Sequence, residues 1–377
     1  MTSVNGKHLL ILIFVTLLVM IFSGSINFND PQYSNVDLHK YIAMAEASPG
    51  FDTNVMKPFV FRIAIPWVAG LLPFSIPTNF YLINIFALIV LSLSFYTFLI
   101  EFGVEKNLSL IITIIFQLNK YFFIFLAWNY FQVSDALSLA LLFYSFIIIR
   151  RKNFTQLLFI MLFSVLIKEY ILFIIPAGLF YYYTNSPNRK NLIYFGIISF
   201  LSISVFVIIR LLISSEGGES LFIQYTTQVI YYSKPSLLIK RFIIPFTPFG
   251  LLPLIFYKDL ISFFKIHNEF LIYTITIILL SFFGEPERLM EPLASIYYLF
   301  VAVLIKNYLL DGAFKIRNNR SLLYIIIASF MTSFYHLWGR ITLPGEAYSI
   351  ASTIFFTLLV SFIFFRSKRL SERIRKY

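Results

Sequence analysis

A chain of 377 residues that is 59% hydrophobic and only 13% charged has too little polar sequence to cover a water-soluble surface, and is built for a membrane. It contains no cysteine, which rules out disulfides, thiolate metal sites and a cysteine nucleophile. The net charge of +12 sits in clustered loop positions, where membrane topology accounts for it, and no nucleic-acid partner is called for.

A hydrocarbon core about 30 Å thick needs about 20 apolar residues of helix. Stretches of that kind recur from Leu9 to Phe365, and no segment between them is long and polar enough to form a separate soluble core. Residues 1–377 therefore read as one all-α, polytopic integral membrane domain. The first stretch, Leu9 to Phe22, follows Lys7 and His8 and has no small-residue cleavage site after it, so it is expected to be an uncleaved anchor.

Residues 27–78 form the longest outward segment. Within it Leu38, Tyr41, Ile42 and Ala45 fall at i, i+3, i+4 and i+7, one helical face, and Pro49-Gly50 ends the run. This predicts an amphipathic helix on the outer membrane surface with Asp37 in its first turn. Taken alone, Asp37 fits better as the far member of a capping box begun by Ser34. Next comes Lys57 to Ile63 with a lone Arg62, suited to lipid phosphates by snorkelling or to a substrate phosphate. Further spans are expected at Asn79 to Ile100, Leu108 to Trp128, Phe131 to Ile149, Phe154 to Ile167, Tyr170 to Tyr183, Leu192 to Ile213, Phe242 to Tyr257, Phe270 to Phe283, Leu293 to Leu309, Leu322 to Trp338 and Ser349 to Phe365. Some are short, notably the pair flanking Lys168-Glu169, which reads as broken or re-entrant helices; the expected count is ten to twelve.

With the amino terminus in the cytoplasm, the inner loops collect Arg150-Arg151-Lys152, Arg189-Lys190 and Lys315 to Arg320, and residues 366–377 form a basic tail on the same side. That satisfies the positive-inside rule and puts both termini in the cytoplasm of a cell membrane. Most of the carboxylates then fall on the opposite, outer side.

Four polar knots interrupt apolar sequence there: Ser134-Asp135 opening a span, Lys168-Glu169 between two apolar halves, the run Gly284 to Pro292 with Glu287 and Arg288, and Gly339-Arg340 near Glu346. Each has a modest explanation of its own. Asp135 can complement a helix dipole, and Lys168 and Glu169 can neutralise one another. Ionisable groups at membrane depth are costly and usually line a cavity, so several at one level predict an outward-facing polar cavity.

Four of these features, in this order, resemble bacterial multi-pass glycosyltransferases of the GT-C superfamily, of the kind associated with cell-surface glycopolymers. They are Asp37 to Tyr41 leading into Pro58 to Ile63, Ser134-Asp135, Lys168-Glu169, and Glu287-Arg288 between late spans. The resemblance covers residues 9 to 310. It implies a GT-C-like helical fold that takes a sugar from a polyprenyl-phosphate carrier at the outer leaflet and passes it to a glycan or lipid-linked acceptor. The acidic doublet that some relatives place in the first loop is absent, and so is a large terminal extracytoplasmic domain.

The chemistry can be reasoned from the residues as well. Sugar transfer from a lipid phosphate needs a base near the acceptor hydroxyl, cations near the leaving phosphate, and a dry groove for isoprenoid. Asp37 is the candidate base for an inverting displacement. Arg288, Arg62 and Lys168 are candidates for the phosphate, Asp135, Glu169 and Glu287 for orienting those cations or binding sugar hydroxyls, and Arg340 completes the expected substrate-binding set. Outer-face acids could hold one divalent cation through oxygen ligands, but the four His are scattered, no close acidic pair has metal-ligand spacing and no Gly-rich phosphate loop is present, so no cofactor is expected and a metal site has no motif behind it. The competing readings are a transporter or flippase of lipid-linked glycans, with Lys168, Glu169 and Arg288 along its pathway, and an envelope glycan polymerase.

Overall fold

A computed structural model of the chain describes residues 5–27, 38–52, 54–185, 188–213, 226–227, 229–230, 234, 242–283, 289–310, 318–337 and 345–374. Among these residues every regular element is helical and there is no strand. In chain order the helices are α1 (Gly6–Ser23), α2 (Leu38–Glu46), α3 (Ala64–Leu71), α4 (Ile76–Glu101), α5 (Lys106–Gln117), α6 (Phe125–Trp128), α7 (Val133–Arg151), α8 (Phe154–Ile167), α9 (Ile174–Asn185), α10 (Arg189–Leu212), α11 (Leu252–Ile255), α12 (Tyr257–Ile266), α13 (Asn268–Leu280), α14 (Ala294–Ile305), α15 (Asn318–Leu337) and α16 (Gly345–Ile374).

Among the described residues, six stretches are long and apolar enough to cross a membrane: Gly6–Ser23, Ile76–Glu101, Tyr130–Arg151, Arg189–Leu212, Glu291–Leu310 and Ile350–Arg369. Two bent pairs raise the number to eight if each is one span, Lys106–Gln117 with Lys120–Trp128 at 51° and Tyr257–Ile266 with Asn268–Leu280 at 113°. That is fewer than the ten to twelve expected, and the shortfall has local causes. Helix α8 has 14 residues, about 21 Å of rise. The run from Tyr170 to Tyr183 opens as a tight 3-10 turn, Glu169–Phe173, before α9 begins. The stretch from Phe242 to Tyr257 is no span at all: Pro245, Pro248 and Pro253 each remove a backbone donor, and only the turn Ile244–Phe246 and the four-residue α11 form.

Polar residues set where the helices begin and end. Asn5, Asn153 and Asn188 cap α1, α8 and α10, each side chain accepting a backbone N–H of the first turn. Helix α4 stops at Gly103, whose φ of 87° lets Val104 N–H reach back to the Leu99 carbonyl at 3.0 Å. In the first loop, α2 buries Leu38, Tyr41, Met44 and Ala45 against α3. Gly70 permits that approach, because a Cβ there would lie 2.1 Å from the Ala45 carbonyl oxygen.

Helix α7 is the centre of the bundle: 83% of its apolar window is buried, against 22% for α10 and 33% for α1. It packs along α4 and against α8, with Ala136, Ser138, Ala140 and Ser145 buried in its faces, small side chains that let helices approach closely. The outer flanks of α10 expose Phe200, Val207, Ile208, Leu211 and Leu212, a surface suited to lipid.

Backbone at membrane depth tolerates irregularity only where its polar groups find partners. The break after α5 meets this through Asn119. Its Oδ1 accepts the N–H groups of Tyr121 and Phe122, while its Nδ2 donates to the Pro245 carbonyl at 2.9 Å and the Tyr298 hydroxyl at 3.0 Å. The proline-broken stretch is tied further by Tyr297, whose hydroxyl donates to the carbonyls of Phe249 and Gly250 and whose ring stacks on Phe246 at 3.9 Å.

Candidate functional site

Four sequence-predicted residues from three separate segments meet at the end of the bundle that carries the first loop. Arg62 follows the turn Phe59–Phe61, which places its guanidinium between α2 and the break after α8. There its Nη2 donates to Glu169 Oε1 at 2.7 Å and its Nε to Oε2 at 3.4 Å, the two-pronged geometry that suits a guanidinium and a carboxylate. Nη1 donates to the Tyr41 hydroxyl at 3.3 Å, which links the pair to α2.

The second pair lies deeper. Asp135, in the first turn of α7, accepts a hydrogen bond from Lys168 Nζ at 2.5 Å, and the two side chains are 0% and 3% exposed. The Lys168 ammonium also lies 3.9 Å from the centre of the Tyr170 ring. Lys168 and Glu169 do not neutralise one another, as their adjacency in sequence allowed. Lys168 is extended (φ −165°, ψ 149°), and neighbouring side chains on extended backbone point to opposite sides, so each finds its own partner. Asp135 likewise does more than complement a helix dipole.

The electrostatics follow. Burial works to raise the Glu169 carboxyl, but the charge and hydrogen bonds of Arg62, with Lys168 beside it, outweigh that and hold it down at about 2. Burial opposes the Arg62 charge, yet the Glu169 carboxylate overcomes it and keeps the guanidinium firmly protonated. Next to the deeper pair along α7 and α8, buried Ser134 Oγ, Ser138 Oγ and Ser164 Oγ have no hydrogen-bond partner among the described residues. Ser138 stands one turn from Asp135 and Ser164 one turn from Lys168. Buried polar atoms normally find partners, so this cluster is suited to ordered water or a polar ligand.

Asp37, Glu287, Arg288 and Arg340 lie outside the described residues. Asp37 immediately precedes Leu38, the buried first residue of the helix that brings Tyr41 to Arg62. Where the structure describes the polar knots, the charges of Arg62, Asp135, Lys168 and Glu169 are engaged with one another, and the Glu169 side chain remains 25% exposed. A shallow pocket lies to one side, between the first loop and the end of α10, lined by Met44, Phe51, Asp52, Val60, Trp67 and Ile213. Among the described residues no three His, Asp or Glu side chains gather as metal ligands.

Three residues outside the predicted set also belong to this end. Glu291 is fully buried in the turn Glu291–Leu293 that packs on α7. Tyr170 supports Lys168. Arg210 lays its guanidinium over Phe61, 4.6 Å from the ring centre. Its sequence signal is plain in hindsight, since it is the one charge within the run from Leu192 to Ile213. No family model, curated protein or solved structure matches this chain.

Proposed function

We propose that the protein is a membrane glycosyltransferase that moves a sugar from a polyprenyl-phosphate donor to a glycan or lipid-linked acceptor on the outer face of the cell membrane. One observation carries this reading: two charge pairs, Arg62 with Glu169 and Lys168 with Asp135, are assembled from three segments of the chain, and Arg62 also reaches Tyr41 of the helix that Asp37 precedes. An apolar bundle does not need two such pairs for stability, because buried ion pairs gain little over well-packed apolar side chains. A reaction that separates charge beside a lipid phosphate does need a fixed polar frame.

In this reading Asp37 accepts the proton of the acceptor hydroxyl as that oxygen attacks the anomeric carbon from the face opposite the phosphate. The bond from the anomeric carbon to the phosphate oxygen breaks, polyprenyl phosphate leaves with the bonding electron pair, and the configuration inverts. Glu169 and Asp135 orient Arg62 and Lys168, and the partners thus engaged leave Arg288 and Arg340 to contact phosphate and Glu287 to contact sugar hydroxyls. The loop helix α2 lies at the outer membrane surface, both termini are cytoplasmic, and the fold is GT-C-like.

The test is an assay of the purified protein in lipid nanodiscs with radiolabelled polyprenyl-phosphate sugars and a panel of glycan and lipid-linked acceptors. Transfer by the wild type is expected, and Asp37→Asn should lower its rate about 10²- to 10⁴-fold, the usual worth of a positioned base. Transfer undiminished in Asp37→Asn overturns the base assignment, and no transfer from any donor overturns the function. The transport alternative finds no help in the bend after α5, since Asn119 satisfies the backbone that a substrate pathway would leave open.

A further inference from the structure

Arg210 stands apart from the other cations at the first-loop end. Arg62 and Lys168 are each held by a carboxylate, Glu169 and Asp135. Among the described residues Arg210 has no carboxylate at ion-pair distance. Its Nη1 donates to the Phe206 carbonyl at 3.4 Å, a long bond that leaves most of its five donors unused. Two aromatic rings fix the guanidinium instead: its central carbon lies 3.4 Å from the centre of Phe206 and 4.6 Å from that of Phe61. Stacking of this kind occupies the faces of the guanidinium plane and leaves its edge, where the N–H groups project, for hydrogen bonding.

The setting joins paired charges to an apolar, exposed flank. Arg62 follows Phe61 in the chain, and the charges of both Arg62 and Glu169 act on Arg210. On the lipid side, Arg210 is followed by Leu211 and Leu212, both 77% exposed, and preceded by the exposed Val207 and Ile208. The position is two residues short of the end of a 24-residue apolar helix, the depth at which phosphate groups of a bilayer lie.

We propose that Arg210 binds the phosphate of a lipid that enters sideways from the bilayer between α10 and the first loop, and that this lipid is the polyprenyl-phosphate donor. The donor identity rests on the glycosyl-transfer reading; the lipid-phosphate contact does not. The guanidinium edge takes two phosphate oxygens, Phe61 and Phe206 hold its plane, and the apolar flank of α10 meets the hydrocarbon tail.

The experiment measures binding of a fluorescent polyprenyl phosphate to the full-length protein in phosphatidylcholine nanodiscs, with unphosphorylated polyprenol and phosphatidylglycerol as competitors. Arg210→Gln is expected to weaken polyprenyl phosphate binding about tenfold, the worth of a charge-assisted contact, and to leave binding of polyprenol unchanged. Arg210→Lys keeps the charge without the fork and should lie between, and it decides the matter alone if Arg210→Gln does not fold. Wild-type affinity for polyprenyl phosphate in the folded variants overturns the contact, whether or not sugar transfer is seen. If phosphatidylglycerol competes as well as polyprenyl phosphate and depends equally on Arg210, the site takes bilayer phospholipid, and the donor assignment is overturned. Arg210-dependent binding of polyprenyl phosphate with no transfer from any sugar donor leaves the contact standing and sinks the glycosyltransferase reading instead.

Discussion

Asp135 and Lys168 form an ion pair where almost no surface of either reaches solvent. Removing one partner strands the other, so Asp135→Asn is expected to destabilise the fold by about 3–5 kcal/mol. Replacing both, as Asp135→Leu with Lys168→Met, should recover most of that loss; thermal unfolding in detergent measures both, and a double variant no better than the single one would show that packing, not charge, holds the site. The outer pair makes a pH prediction. The Glu169 carboxyl lies at about 2 in the folded protein against an ordinary value of 4.5, so the folded state binds its proton less readily than the unfolded one. Its contribution to stability is therefore complete above about 4.5 and is lost as pH falls towards 2. The difference in unfolding temperature between the wild type and Glu169→Gln should stay constant from pH 7 to 5 and shrink below that; a difference independent of pH would exclude an ionic origin.

Among the elements, the break after α5 shows how one side chain fixes the course of several. Asn119 satisfies two backbone N–H groups at the start of the next helical turn and a carbonyl of the proline-broken stretch, and it also meets Tyr298 of α14. Asn119→Ala leaves these buried groups unpaired, and an unpaired buried group costs about 1–3 kcal/mol. A matching fall in unfolding temperature in detergent is expected; unchanged stability would mean that water replaces the side chain there. This element also marks where sequence periodicity stops being informative. Hydropathy alone gives one continuous span from Leu108 to Trp128, because the apolar run does not register that Asn119 lets the helix turn by 51°. The run from Phe242 to Tyr257 passes the same hydropathy test, yet its three prolines, visible in the sequence, prevent a regular helix.

At the scale of the whole molecule, the native chain contains no cysteine, so single cysteines report topology without background. Ser25→Cys is exposed at the first-loop end and Lys190→Cys at the opposite end. A membrane-impermeant maleimide added to intact cells should label the first and reach the second only after permeabilisation; the reverse pattern would place Arg62 and Glu169 on the cytoplasmic side and remove the basis for a donor at the outer leaflet. Composition alone determined that this is an all-helical protein with several membrane-crossing segments, because burying backbone in hydrocarbon leaves helices as the way for such apolar runs to satisfy their own polar groups. It also marked Arg62, Asp135, Lys168 and Glu169 as out of place, since a charge in an apolar run stands out on cost alone. Which charge pairs with which was decided only by the tertiary structure: Arg62 reaches Glu169 across 107 positions and Lys168 reaches Asp135 across 33. Chain order carries no record of such distant contacts, and the extended backbone at Lys168 sends two neighbouring charges to different partners. The placement of Arg210 was decided the same way, because only the fold sets Phe61 against its guanidinium.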